Sequence, residues 1–276
     1  MALLRAELRM EAAPHSEVDP VGTAIAQAAT ALARWEADGI TVRTCLDERY
    51  PSQLRSIHQM PPILFTRGQQ AADQRAIAVV GTRHAGERGL RAATAIAREL
   101  ALNGVTVVSG LASGTDTAAH QAALDAGGRT VAVIGTGIDR FHPEENRGLQ
   151  ERISRDGLVI SQFWPGTPPE RRNFPMRSAV MSGYAAATVV VEAPPQSAAR
   201  TQAQLALEHG RAVVMFEELL EHEWAREHAE KAGVFVVAGL HELLAVVDDQ
   251  IADLNAGPDS VVGIEWGADL PSNAWK

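Results

Sequence analysis

The stretch Ala76–Asp116, AIAVVGTRHAGERGLRAATAIARELALNGVTVVSGLASGTD, decides the fold. Ile77 to Val80 is a short apolar run without alternation, as expected of a strand buried on both faces of a parallel sheet. After the Gly81-Thr82-Arg83 turn, Leu90, Ala93, Ile96, Ala97 and Leu100 recur at helical spacing, and Asn103-Gly104 supplies a stop. A second apolar run, Val105 to Val108, ends in another glycine-rich turn, Ser109 to Asp116. Parallel strands joined by a crossover helix form a right-handed unit that binds ligands outside the carboxyl ends of its strands, so both turns belong to the ligand edge. Glycines let backbone amides approach a phosphate, and a helix amino terminus favours an anion. Amides around Gly81, Ser109, Gly110 and Gly114 are therefore expected to form an anion nest, with Thr82, Arg83 and Ser113 beside it. Neither G-x-G-x-x-G nor G-x-x-x-x-G-K-[ST] is present; Gly135-Thr136-Gly137 begins like the former, but Arg140 stands where the third glycine should be.

Outward from this unit the chain alternates. Downstream, helices are expected at about Thr117–Ala126, Glu144–Arg155, Met176–Ala186, Ala198–His209, Glu218–Lys231 and His241–Val247. Between them fall strands at Thr130–Ile134, Leu158–Ser161, Thr188–Glu192, Ala212–Phe216 and Val234–Val237. The irregular stretch Gln162–Phe174, rich in Pro and Arg, is too long for a mere connector. Upstream, residues 1–19 read as an arm, Thr23–Asp38 as an alanine-rich helix stopped by Gly39, and Ile40–Cys45 as a short edge strand. Pro51, Pro61 and Pro62 argue against a central strand, which makes residues 1–70 an arm and short helical lead-in packed against the main sheet. Residues 71–248 then form a doubly wound α/β domain with a mostly parallel, extended Rossmann-like sheet. Residues 249–276 form a tail whose Trp266 and Trp275 anchor either on the body or on a partner.

A formal net charge of −9 over 276 residues argues against a protein that coats duplex DNA with a generally basic surface. It leaves room for a local basic groove, because a few arginines can dominate the field of a cleft. Arg83, Arg171, Arg172 and Arg177 all fall at the predicted sheet edge; Phe163, Trp164 and Phe174, interleaved with Arg171 and Arg172, serve either as surfaces for stacking bases or as loop packing. The single Cys45 rules out an internal disulfide framework and a cysteine-based zinc site. His84, His120 and His142 lack metal-ligand spacing, so neither a metal nor a cofactor is expected. Asp116 reads as a helix cap worth about 1 kcal/mol, or as a group near a ribose. Asp139 binds a ribose hydroxyl or caps its loop. Gly110–Gly114 is not the G-x-S-x-G elbow, and no nucleophile stands with a base, so the chain reads as a binding protein and not an enzyme. No apolar run approaches the roughly 20 residues needed to cross a bilayer. The amino terminus lacks the order of a signal peptide. The expectation is a cytoplasmic protein without a membrane partner.

Several short motifs occur together: Tyr50-Pro51, Pro61-Pro62, Gly81-Thr82-Arg83, Ser109 to Asp116 with Ala119-His120, Gly135 to Asp139, His142-Pro143-Glu144-Glu145-Asn146, Phe174-Pro175 and Val191-Glu192-Ala193. In that order they resemble the DNA-processing protein A (DprA/Smf) family over about residues 45 to 245. The resemblance implies an extended Rossmann-like fold related to the LOG nucleotide hydrolases, single-stranded DNA binding in a basic pocket, self-association as a homodimer, and loading of the RecA recombinase. It implies that Arg83 and Arg177 contact phosphate. Some motifs depart from the family pattern. The F-P-x-R-N-R stretch reads Phe174-Pro175-Met176-Arg177-Ser178-Ala179, the Ser-Glu after the fourth strand is Ser161-Gln162, the loop after Glu192 is Gln196 to Thr201, and Glu217-Glu218 replaces Pro-Gly. The P-G-G-x-G-T motif of the LOG enzymes is missing. A second reading stays open: the same pocket holds a small nucleotide, and the protein is a sensor or the antitoxin or immunity partner of a toxin protein in a defence system.

Overall fold

The computed structural model describes residues 20–256; the arm expected at 1–19 and both tail tryptophans, Trp266 and Trp275, lie outside the described residues. The chain divides into two units at Ile40/Thr41. In the first, helix α1 (Pro20–Ala37) carries proline at its first position, where the missing N–H costs nothing. It ends through Asp38 N–H donating to Arg34 O (3.0 Å) and Gly39, at φ +74°, donating to Glu36 O (3.0 Å).

The second unit is built on one sheet. In chain order its elements are β1 (Thr41–Thr44), β2 (Ile63–Gly68), β3 (Ala76–Val80), α2 (Glu87–Leu102), β4 (Thr106–Ser109), α3 (Thr115–Asp125) and β5 (Thr130–Val133). There follow α4 (Arg147–Asp156), β6 (Leu158–Ser161), α5 (Asn173–Tyr184), β7 (Ala187–Val190), α6 (Ala198–Glu208), β8 (Ala212–Phe216), α7 (Glu223–Ala229), β9 (Val234–Val237) and α8 (Leu240–Ala256). The nine strands lie in the order β1-β2-β6-β5-β4-β3-β7-β8-β9. From β6 to β9 every pairing is parallel; β1–β2 and β2–β6 are antiparallel. This is the doubly wound, mostly parallel sheet that the alternation predicts.

The unbroken apolar run of β3 is explained by burial on both faces. Ala76, Ala78 and Val80 join the core beneath α5, α6 and α7, whereas Ile77 and Val79 join the core beneath α2, α3 and α8. Each buried Ile or Val contributes roughly 1.5–3 kcal/mol through apolar burial alone.

The sequence reading needs correction at four places. Of the lead-in, residues 41–68 enter the sheet rather than pack against it, and β2 is an interior strand between β1 and β6. The prolines permit this because they stop one residue short of β2; Pro62 supplies a carbonyl to Cys45 N–H (2.9 Å), and no ladder donor is missing. Helix α5 starts at Asn173, three residues before the expected Met176, since Pro175 falls in its first turn. The expected helix from Glu218 is a 3-10 turn, Glu217–Glu221, followed by the short α7. Helix α8 runs past 248 to Ala256, so the tail boundary at 249 falls within a helix.

At the amino ends of β3, β4 and β5 a buried carboxylate ties the sheet to its approach loop. Asp73 accepts from Arg129 Nε (2.6 Å) and Nη2 (2.9 Å), from Thr106 Oγ1 (2.9 Å) and from Tyr184 Oη (2.6 Å). Burial and the Asp73 charge hold the Tyr184 phenol protonated well above its ordinary pKa. Removing Asp73 leaves the partly buried Arg129 without its carboxylate and two buried hydroxyls, Thr106 Oγ1 and Tyr184 Oη, without their acceptor. Asp73→Ala is expected to cost about 3–5 kcal/mol in urea unfolding and Asp73→Asn less; a loss below about 1 kcal/mol for Asp73→Ala would show that the network carries no weight.

Candidate nucleic-acid interface

The topology fixes where a ligand site can form. From β3 the chain runs outward through β4, β5 and β6, then crosses back to β7 on the other side of β3. The connections leaving β3 and β7 diverge, and a crevice opens over their carboxyl ends, as open α/β sheets require. It is a cleft of about 570 Å³ walled by Gly81–His84, by Ala112 and Asp116, by Arg171 and Arg177, and by Gln196–Ala199 at the start of α6.

Two glycine turns make its floor by pressing against one another. Thr82 O accepts from both Thr115 N–H (3.3 Å) and Thr115 Oγ1 (3.2 Å). Gly114 sits at φ +77°, and a Cβ there would collide with the carbonyls of Thr82 and Arg83. Beside it Leu111, fully buried, takes the left-handed conformation at φ 58°, a strain of about 1–3 kcal/mol for a residue with a side chain. The strain is held by Asn146 Nδ2 donating to Leu111 O (2.9 Å) and Thr117 Oγ1 donating to Ala112 O (2.8 Å).

Of the expected anion nest, the Gly110 backbone is engaged by the chain itself. Asp116 Oδ2 accepts from Ala112 N–H (3.2 Å), and the backbone of Gly110 also bonds this carboxylate. Burial raises the Asp116 pKa against the opposing pull of Arg177. Arg177 is itself only 6% exposed; its Nη1 donates to Val133 O (3.3 Å) and stands 4.0 Å from Asp116 Oδ2. Burial lowers the Arg177 pKa, and the nearby Asp116 raises it in part.

Positive charge open to the cleft comes from elsewhere. Arg83 is exposed, with its guanidinium over the Phe174 ring at 5.2 Å from the centroid; the same ring stands 5.8 Å from that of His142. Arg171 is exposed on the opposite wall. Helix α6 presents its amino terminus, where Ser197 Oγ accepts from Ala199 N–H (3.2 Å), and a helix amino terminus attracts anions.

The structure thus brings Gly81, Thr82, Arg83, Asp116, Arg171 and Arg177 together around one cleft. Gly110 and Ser113 line a small adjoining cavity of about 40 Å³ with Gly135, His142 and Phe174, and Ser113 Oγ donates to Glu145 Oε1 (2.7 Å). Ser109 is fully buried, its hydroxyl placed between Val79 O (2.7 Å) and the Asp116 carboxylate, so it serves the chain's own framework. Arg172 pairs with Glu170 (2.7 Å) and does not line the cleft. Asp139 accepts from Gly166 N–H (2.6 Å), which makes it a loop cap. Of the stacking candidates, Phe163 is buried, Trp164 lies against Phe65 with ring centroids 5.3 Å apart, and Phe174 already carries Arg83. The wall from Gln196 to Ala199 was not expected to bind; its signal is a serine cap before an alanine-rich helix.

Comparison with known proteins identifies the family and the fold. A family described as DNA recombination-mediator protein A matches residues 41–245. Protein Smf of Synechocystis is 41% identical over 174 residues, 60% of this chain and 43% of the relative. DNA processing protein DprA of Streptococcus pneumoniae is 40% identical over 169 residues, 61% of this chain and 60% of that protein. The chain therefore matches about half the length of these curated relatives. The X-ray structure of the pneumococcal protein superimposes with a TM-score of 0.68 at 34% identity, covering 77% of each chain. DNA processing protein A of Helicobacter pylori, a structure described for its single-stranded DNA binding mode, superimposes at 0.66 and 22% identity over 77% of this chain and 97% of that one, which shows a shared fold.

Beneath the floor lies His120, fully buried, with Nδ1 2.7 Å from Thr130 Oγ1. Burial, reinforced by the Arg177 charge, pushes its pKa down to about 3. Folded His120 stays neutral while the unfolded chain takes up a proton below about pH 6.5, so stability falls with pH between about 6.5 and 3 by roughly 1.4 kcal/mol per unit. Asp116, raised in the folded state, works in the opposite direction by binding its proton earlier than the unfolded chain. Urea unfolding at pH 7, 6 and 5 is expected to show His120→Gln losing less stability per pH unit than the unsubstituted protein, by about that amount; parallel curves would rule the histidine out as the source.

Proposed function

The chain belongs to the DNA recombination-mediator protein A family, and from that premise we propose that it binds single-stranded DNA by its sugar-phosphate backbone in the switch-point cleft, without covalent chemistry. The observation that carries the reading is a local reversal of charge. In a chain of net charge −9, two exposed guanidinium groups, Arg83 and Arg171, and the amino terminus of α6 converge on one cleft of about 570 Å³. Each favours a phosphate, and none reads a base edge, so the expected recognition is tolerant of sequence. Arg83 is prepared for this by its seat on Phe174, which holds the guanidinium and leaves its N–H edges for a ligand. The S. pneumoniae and H. pylori proteins, one a DNA processing protein and the other bound to single strands by description, support the same ligand here.

Binding without turnover is supported by how the cleft's acid is used. Among the described residues lining the cleft Asp116 is the one carboxylate, and loop amides and Arg177 already engage it. Residues 41–256 would act as the binding body in the cytoplasm, with delivery of the strand to RecA and self-association as a homodimer as the further steps that the family resemblance implies.

Anisotropy titration of a labelled oligothymidylate across salt concentrations tests the reading. Arg83→Ala and Arg171→Ala are each expected to weaken binding about tenfold and to lower the slope of log affinity against log salt by about 0.7, the contribution of one phosphate contact on a single strand. Absence of binding at low salt, with a mononucleotide found in the purified protein, would replace DNA by a small ligand.

A further inference from the structure

Gly110 and Arg177 occupy the same space from two sides. A Cβ built on Gly110 would fall on the Arg177 guanidinium. The arginine enters from α5, donates to Val133 O at the end of β5, and stands 4.0 Å from the Asp116 carboxylate that gathers the Gly110 and Ala112 amides. Its Nε is closed off from solvent and meets no acceptor. Arg177 lines the cleft but is only 6% exposed, and its Nη1 is held by a strand-end carbonyl beside a buried carboxylate, whereas Arg83 and Arg171 are exposed at the same cleft.

Arg177 does not act alone on α5. Asn173 and Phe174 stand four and three residues before it, and residues at those spacings share one helical face. Asn173 Nδ2 donates to Gly135 O (3.1 Å) in the loop after β5. Phe174 carries Arg83 from the loop after β3. Arg177 holds the loop after β4 through Gly110 and Asp116. One face of one helix thus grips three successive strand-end loops.

We propose that Arg177 is a positioning residue that takes no phosphate: it fills the space glycine leaves at position 110, fixes the Gly110–Ala112 turn around Asp116, and through the Gly114 turn against Thr82 and Arg83 sets where Arg83 meets the DNA backbone. The inference rests on the DNA-binding reading above for its functional part and on geometry alone for the lock between positions 110 and 177.

The experiment is a double-mutant cycle between Gly110→Ala and Arg177→Met, read twice, with Arg83→Ala and Arg177→Lys alongside. The first reading is urea unfolding without DNA. Gly110→Ala should destabilise the unsubstituted protein and have little effect once Arg177 is methionine; additive losses would overturn the lock whether or not the protein binds DNA. The second reading is oligothymidylate binding across salt, at a temperature where circular dichroism shows each variant folded. Arg177→Met should weaken binding about tenfold, as when the charged contact it positions is misplaced. Its salt slope should stay unsubstituted, unlike the drop of about 0.7 for Arg83→Ala. Arg177→Lys should fail to restore affinity, because a compact ammonium does not fill the space over Gly110 that the planar guanidinium occupies. A slope that falls in Arg177→Met as it does in Arg83→Ala would make Arg177 a direct ligand, and normal affinity in folded Arg177→Met would reduce it to a structural residue. If Arg177→Met does not fold, Gly110→Ala alone carries the test, since it displaces the guanidinium without removing its charge. Failure of the unsubstituted protein to bind DNA would count against the functional reading and against a positioning role in it, and leave the lock to be judged on unfolding.

Discussion

The site depends on how closely two peptide turns approach. Thr82 O receives both the amide and the hydroxyl of Thr115, and Gly114 has no side chain because any Cβ would collide with the carbonyls opposite. This contact brings the carboxyl end of β3 and the amino end of α3 into one surface. Thr82 N–H donates in turn to Glu192 O (2.7 Å), and Val191 N–H donates to Val80 O (2.9 Å), so the end of β7 is bound to the same turn. The crevice of the sheet therefore has a floor of fixed backbone, and the side chains above it inherit fixed places. A wider separation of β3 and β4 would leave Arg83 on a loop without support.

Charge is distributed in layers above and below that floor. Below it, Asp116 and Arg177 are both buried, and burial moves each toward its neutral form, the carboxyl upward and the guanidinium downward. Their mutual attraction opposes both shifts. A pair of this kind adds little net stability, because desolvation offsets the Coulomb gain, but removing one partner alone is costly. What the pair provides is geometry: the carboxylate gathers the Gly110 and Ala112 amides of the loop. Above the floor, Arg83 and Arg171 are exposed at the cleft, which is where the proposed salt-dependent contact with phosphates would lie.

The fold was legible where periodicity carried it. The β3 run, the helix α2 with its Asn103-Gly104 stop, and the alternation that follows are all direct consequences of burial on one or two faces. The two antiparallel strands were harder to read, because Pro61-Pro62 looks like a strand breaker until the strand is seen to begin at Ile63. The site was legible to the level of its loops and not of its side chains. Arg171 and Arg172 are neighbours of identical chemistry, yet one lines the cleft and the other pairs with Glu170. Nothing in the local sequence marks Arg177 as buried; that follows from Gly110, which is 67 positions earlier in the chain and is brought against it only by the sheet. Ser109 and Asp139 look like ligand groups for the same reason: a hydroxyl or carboxylate in a glycine-rich loop has two uses, and packing decides between them.

The departures from the resembled F-P-x-R-N-R motif acquire a meaning from their surroundings. Ala179 is 3% exposed and belongs to the interior, so its change from arginine removes a charge from a position that this structure closes. Ser178 lies on the cleft wall and is 5% exposed. With its amide turned to satisfy both ends, the buried Gln202 of α6 donates to Ser178 O (3.0 Å) and accepts from Ser182 N–H (3.1 Å). That bridge ties α5 to α6, and so joins the helix that grips the strand-end loops to the helix whose amino terminus lines the cleft. Loss of the asparagine and the second arginine therefore does not leave an empty wall. It replaces long polar side chains by a short one and a helix–helix bridge, and leaves the charge of the cleft concentrated on Arg83, on Arg171 and on the end of α6.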